Sequence, residues 1–138
     1  MKVGMATDRG GVPLAVATDS ARVPEVVLAG PVLVGIPAAV PVPWGVPVLA
    51  DRGYDSDPLR DELAAEGFEL LAPHRKGRKR SPVNDGRKMR RYRRRYVVER
   101  TFAWLKSFRR VATRFEYKVH LYDGFVSLAC AFIALSKL

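Results

Sequence analysis

From Val26 to Ala50 the chain runs without a single charged residue, and five prolines, Pro31, Pro37, Pro41, Pro43 and Pro47, divide that run. Its length and apolarity would suit a bilayer-spanning helix. Each interior proline costs a helix about 3 kcal/mol, because it lacks the N–H and crowds the preceding turn. A membrane span is therefore disfavoured, and residues from about 29 to 46 are expected to form a Pro-rich connection beside a core.

On either side of that run the pattern changes. Two short apolar segments, Lys2 to Thr7 and Val12 to Thr18, flank Asp8-Arg9-Gly10-Gly11, which is a hairpin signal. A short helical piece is expected from Pro24 to Leu28. The run Val46 to Ala50 reads as a buried strand that delivers Asp51 to a sheet edge, where Arg52-Gly53-Tyr54 turns the chain. Asp55-Ser56-Asp57-Pro58 then supplies a cap and an early proline for a helix with Leu59, Leu63, Ala64 and Phe68 on its apolar face, stopped at Gly67. Glu69 to Pro73 reads as another strand. Residues from about 74 to 88 read as an irregular, mobile basic arm. A long helix is expected from about Met89 to Phe108, with Val98, Phe102 and Leu105 as its core stripe. After a break from about Thr113 to Val119, the apolar stretch from Tyr122 to Leu138 should be a buried helix. This order is an α/β pattern in one domain, residues 1–138.

Charge narrows the partner. The formal net charge is +10, and half of the Lys and Arg residues fall between Arg75 and Arg95 with one acid, Asp85, among them. Such a block points to a polyphosphate partner, nucleic acid ahead of a membrane surface, and the excess of Arg suits bidentate phosphate contacts. A solvated basic linker is the bland alternative. The lone cysteine, Cys130, sits in an apolar run, which excludes an internal disulfide and a Cys-rich zinc site. No apolar signal segment opens the sequence, so a cytoplasmic, nucleoid-associated location is expected.

One acid within the basic block carries the chemistry. Tyr92, Arg95 and Lys106 stand seven before, four before and seven after Glu99. Seven residues turn an α-helix through about 700°, so all four side chains fall along one stripe. A surface salt bridge would need no more than Arg95 and Glu99. A stripe of acid, guanidinium, phenol and ammonium also suits a carboxylate that holds a metal ion while its neighbours hold phosphates.

These residues resemble a known family. Ala50-Asp51-Arg52-Gly53-Tyr54-Asp55-Ser56 is similar to the second-aspartate motif of bacterial insertion-sequence transposases of the DDE type. Tyr92, Arg95, Glu99 and Lys106 match that superfamily's Tyr-two-Arg-three-Glu-six-Lys signature, and the tract from Phe108 to Glu116 resembles the one that follows it. The resemblance implies a ribonuclease-H-like catalytic core in which three carboxylates hold two divalent metals, usually magnesium, that activate a water or 3′ hydroxyl against a phosphodiester. It implies Asp51 and Glu99 as catalytic metal ligands, close together at one sheet edge. It implies Tyr92, Arg95 and Lys106 as DNA-contacting or transition-state-stabilising groups, while Arg90, Arg91, Arg93 and Arg94, read from charge alone, are expected to hold DNA phosphates. The partner implied is DNA at transposon ends, with no membrane, and a homo-oligomer is compatible with this. The family's first aspartate precedes the hairpin; Asp8, in the turn, and Asp19, at the end of the next strand, do not match its place. The chain is thus expected to correspond to a C-terminal portion lacking the first core strand, and to be inactive alone. A non-catalytic remnant that grips nucleic acid through its Arg-rich segment is the alternative. A basic RNA-associated protein would have no need of Asp51 or Glu99.

Overall fold

The computed structural model describes residues 1–84 and 86–138. Strands β1 (Lys2–Thr7) and β2 (Pro13–Asp19) pair antiparallel, as their alternation and the Gly-Gly turn predict. Asp8 holds the turn: its Oδ1 accepts from the N–H groups of Gly10 and Val12, at 2.8 and 2.9 Å. Gly11 closes it with φ +84°, a left-handed value that only glycine adopts without strain.

The hairpin is packed on both faces. Gly4 and Ala6 look toward helix α1 (Glu25–Val34), which buries Leu28, Val32 and Leu33. Val3, Met5 and Val16 look the other way, onto a core of Leu105, Val111, Tyr122, Val126 and Ile133. That core belongs to helices α4 (Tyr96–Ser107), α5 (Arg109–Ala112) and α6 (Val119–Leu135). A second pair, β3 (Val46–Leu49) and β4 (Phe68–Leu71), runs parallel and is joined by a 3₁₀ turn, Arg52–Tyr54, and helix α2 (Asp57–Ala65). Parallel strands need such a crossover, and α2 packs its Leu59 and Leu63 back onto β4. Ser56 caps α2 by accepting from the Leu59 N–H at 3.3 Å, and Gly67, at φ +85°, ends it. Among the described residues the two strand pairs form two separate two-stranded sheets. No helix is long and apolar enough to cross a membrane, again among the described residues.

Five expectations need correction. Phe68, expected on the apolar face of α2, instead opens β4 beyond the Gly67 stop. The Pro-rich connection starts later than about residue 29, because α1 continues through Pro31 to Val34. Burial of Val32 and Leu33 beyond the proline offsets the hydrogen bond that Pro31 cannot make. The helix expected over Met89 to Phe108 is broken into α3 (Gly86–Met89), a 3₁₀ segment Arg90–Arg95, and α4. Within α4 the buried line is Val97, Thr101 and Leu105, so the stripe expected at Val98 and Phe102 is rotated by one residue. Thr101 is the reason: it is wholly buried, and its hydroxyl donates to the Gly11 carbonyl at 2.8 Å, with the Val97 carbonyl also in reach at 3.1 Å. Finally, α6 is buried on one face only, through Tyr122, Val126, Ala129, Cys130 and Ile133, while Leu121, Leu128, Phe132 and Leu135 are exposed. Burial pushes the Cys130 thiol up to about 11, so it stays protonated as a core residue.

The basic arm is also less free than its composition suggests. Asp85 lies outside the described residues. The arm's first part is tied down by Asp55, whose side chain is 3% exposed. That carboxylate accepts from Arg60 Nη1 (2.7 Å), from the Arg75 N–H (2.7 Å) and from Arg78 Nη1 (3.2 Å), and His74 Nδ1 lies at 3.1 Å. The Val83 N–H donates to His74 Nε2 at 3.1 Å, so the imidazole proton sits on Nδ1 and points at Asp55. Arg78 also reaches Asp57 at 2.8 Å, and Asn84 donates to the Ala72 carbonyl at 2.7 Å. The Arg75 guanidinium donates to the Gly53 carbonyl at 2.6 Å, so Arg75 and Arg78 both serve the fold.

This packing makes two positions sensitive. A Cβ at Gly11 would lie 2.7 Å from Thr101 Oγ1, on a backbone that side chains rarely adopt. Gly11→Ala should destabilise the chain by about 2 kcal/mol, read from denaturant midpoints. At Asp55, burial is the largest single influence and raises the pKa, yet the Arg75 N–H, Arg60 and His74 together outweigh it and hold the carboxyl at about 2. Its ordinary value is near 3.8, so the stability it contributes is complete above that pH and is lost as pH falls from about 4 toward 2. Asp55→Asn should flatten that part of an acid-unfolding curve, removing a difference of about 2 kcal/mol.

Candidate functional site

Strand β3 delivers Asp51 directly. The Ala50 N–H donates to the Leu71 carbonyl at 3.0 Å, the last bond of the parallel ladder, and Asp51 is the next residue. Its Oδ1 accepts from the Gly53 N–H at 3.2 Å, which fixes the rotamer and starts the 3₁₀ turn. Glu25 lies close over this turn, its Oε2 2.7 Å from where a Cβ on Gly53 would stand. Tyr54, on the same turn, has its phenol pKa raised by burial first and by Glu25 and Asp51 after it. Two acids thus converge on the end of β3.

The 3₁₀ segment sorts the cations. Three residues per turn make side chains at i and i+3 eclipse, so Arg90–Arg95 resolves into columns of Arg90 with Arg93, Arg91 with Arg94, and Tyr92 with Arg95. The last column is built: the Arg95 guanidinium lies 5.4 Å from the Tyr92 ring centroid, and its Nη1 donates to the Tyr92 hydroxyl at 2.5 Å. Arg95 then crosses the junction into α4. Its Nε donates to Glu99 Oε1 at 2.9 Å, and its Nη2 donates to the same oxygen. Arg95 Nη1 also lies 3.9 Å from Asp51 Oδ2.

One guanidinium therefore sits between the two acids that the sequence singles out, each of which is 55% exposed. Hydrogen bonding to Glu99 comes first among the influences that raise the Arg95 pKa, so the cation is permanent. Both acids and Arg95 open onto a cavity of ≈ 850 Å³, which Arg91 and Arg94 also line. Arg90, Arg93 and Lys106 are exposed but do not line it. Lys106 keeps its place on the Glu99 stripe of α4, about 10 Å further along the helix, while Tyr92 and Arg95 lie on the 3₁₀ segment that interrupts the expected continuous helix.

Two carboxylates with water and phosphate oxygens can complete an octahedron around a hard divalent cation. Asp51 and Glu99 have the oxygen donors for this, and the Arg95 guanidinium stands between them. No cluster of three or more His, Cys, Asp or Glu side chains is assembled among the described residues. Sequence reasoning placed Asp55 in a helix cap and passed over Glu25 and Arg60. The spacing of Asp55 four residues after Asp51 was the one signal for it, since its partners come from distant positions.

Comparison with known proteins agrees with the motifs. The chain matches the Transposase DDE domain family over residues 1–133. It is 35% identical over 137 residues to a Burkholderia cepacia protein named as a transposase for insertion sequence element IS402, covering 96% of this chain and 61% of that protein. It is 39% identical over 90 residues to a Brucella ovis protein named as a transposase for insertion sequence element IS6501, covering 64% of this chain and 66% of that protein. The chain thus spans somewhat under two thirds of the length of these curated relatives. No solved structure matches it. With the family matched along nearly the whole chain, and with both motif acids meeting at one guanidinium, the chain belongs to the DDE transposase family.

Proposed function

We propose that the chain is part of a ribonuclease-H-like catalytic domain that cuts and joins DNA at transposon ends, supplying Asp51 and Glu99 as two of the acids that hold divalent metal. The observation that carries this is the meeting of Asp51 and Glu99 on either side of Arg95, from elements far apart in the sequence. Bound magnesium would polarise the scissile phosphate and activate its attacking oxygen. The chain's own residues do the rest. Asp51 and Glu99 present carboxylate oxygens to the cation, with Asp51 held by the Gly53 N–H. Arg95 balances the two acids until phosphate enters, and its planar fork is then free to receive phosphate oxygens bidentately. Arg91 and Arg94 flank the cavity mouth, and Arg90, Arg93 and Lys106 extend the positive surface along which DNA would lie. Residues 1–138 act as one domain, in the cytoplasm against the nucleoid, and synapsis of two ends would bring copies together.

A second reading has its own observation. Because Arg95 occupies the space between the acids, and no third acid joins them among the described residues, the chain alone is also suited to gripping nucleic acid without chemistry.

Metal binding separates the two. Manganese titration followed by electron paramagnetic resonance should show weak binding to the chain, reduced at least about tenfold in Glu99→Gln, which keeps size and hydrogen bonding but loses the charge. Arg95→Ala should bind manganese more tightly than the parent, because the competing cation is gone. If neither substitution moves the affinity, the metal reading is wrong and the binding remnant stands. DNA binding is measured separately. Arg91→Gln with Arg94→Gln should weaken binding to all sequences alike and flatten the salt dependence by about 0.9 in log–log slope for each phosphate left unneutralised. An unchanged slope with altered sequence preference would instead indicate base readout.

A further inference from the structure

Helix α6 carries a second apolar face. Tyr122, Val126 and Ile133 point into the core, yet the opposite side of the helix is apolar as well and open to solvent. Leu121, Gly124, Leu128, Ala131 and Leu135 follow one another at spacings of three, four, three and four, the interval of a heptad seam. They fall within a stripe about 80° wide on the helix surface. Leu128 and Leu135 are 53% and 63% exposed, and Phe132 beside them is 55% exposed although it stacks on Phe108. Large and small residues alternate along this seam. Over Gly124 the space is open: a Cβ there would meet nothing within 4 Å. Glycine weakens an exposed helix interior, and nothing in the packing of this chain requires it there. Nor does any Lys or Arg lie between Val119 and Leu135, in a chain of net charge +10.

We propose that this seam docks a second copy of the chain, its α6 antiparallel to the first about a two-fold axis at the level of Ala129 and Cys130. In an antiparallel pair the two kinds of seam position face each other across the axis. Here that sets each Leu against a small residue: Leu135 over Gly124 of the second copy, and Leu128 against its Ala131. A parallel pair would set Leu on Leu and leave Gly124 opposite Gly124, with a void between them. A two-fold interface must fit itself in this way. That self-fit singles out a second copy, since a lipid surface needs no notch and other polypeptide needs no matching order of large and small. Charge agrees. Two chains at +10 repel, and a helix without Lys or Arg is where they approach at least cost. Seventeen residues make about 25 Å of helix, so the pair buries little more than the roughly 1,000 Å² that a specific interface needs. The dimer should accordingly dissociate in the micromolar range. None of this draws on Asp51, Glu99 or a metal, so it stands apart from the catalytic reading.

Sedimentation equilibrium of the 138-residue chain, without DNA or metal, tests this. The mass should pass from one copy to two across micromolar concentrations, and added salt should strengthen the pairing as it screens the net charge. Gly124→Leu is the decisive variant. Its side chain enters open space, so the monomer should keep its circular dichroism and thermal midpoint. It also fills the notch, and should weaken pairing by at least about tenfold. Adding Leu135→Ala exchanges large and small within the same layers and should restore the affinity toward that of the parent. Nonspecific apolar sticking would do the reverse, since Gly124→Leu adds apolar surface. A Gly124→Leu chain that pairs as tightly as the parent, or more tightly, overturns the proposal, and so does failure of the second substitution to rescue. A parent chain that stays monomeric up to about 1 mM also overturns it, and the face then belongs to a lipid surface or to polypeptide outside residues 1–138.

Discussion

A single buried carboxylate organises the end of the molecule where the acids meet. Asp55 is almost fully shielded from water, and an ionised group there persists only because donors surround it. Its partners come from α2, from the residues after β4 and from the basic arm: Arg60, the Arg75 N–H, Arg78 and His74. Because Asp55 follows Asp51 by one short 3₁₀ turn, every bond that fixes the first also limits the position of the second. Removing one donor would leave a buried charge short of partners, which is more costly than never having built the network. The tail of β3 is thus stiff where the acid leaves it.

The same electrostatic logic sets the other half of the site, with a different result. Arg95 is held by Tyr92 on one side and by Glu99 on the other, near the surface, where water competes for each charge. Such a contact orients without locking. A cation that is well placed but weakly held can give way to a dication or turn to a phosphate. Asp55 and Arg95 are therefore the buried and the more exposed charge of one corner, and burial is what separates them.

Two separate two-stranded sheets carry these groups. The β1–β2 hairpin is covered by α1 on one face and by α4 and α6 on the other, while β3–β4 is braced by α2. The hairpin turn is pinned to α4 where Gly11 meets Thr101, so α4, which carries Glu99, is positioned by the N-terminal strands. Glu99 in turn faces the cavity that separates the two strand pairs. The relative placement of the two acids therefore depends on contacts on both sides of that cavity.

What the sequence determined by itself was local. Gly10-Gly11 and Asp8 specify the hairpin, Ser56 and Gly67 bound α2, and the apolar run before Asp51 ends as a strand, because each signal acts within a few residues through caps, turns and alternation. The motif acids were legible for the same reason, as spacings within short segments. Tertiary structure decided the rest. Periodicity could not show that Arg90–Arg95 winds as a 3₁₀ turn, or that Arg95 lies 3.9 Å from Asp51. Nor could composition show that the Arg75 guanidinium is spent on the Arg52 and Gly53 carbonyls and that of Arg78 on Asp55 and Asp57, while Arg91 and Arg94 face the cavity, since all four read alike as charge. Like residues take unlike roles once packing sets which carboxylates they can reach, and that is fixed by contacts between segments distant in the chain.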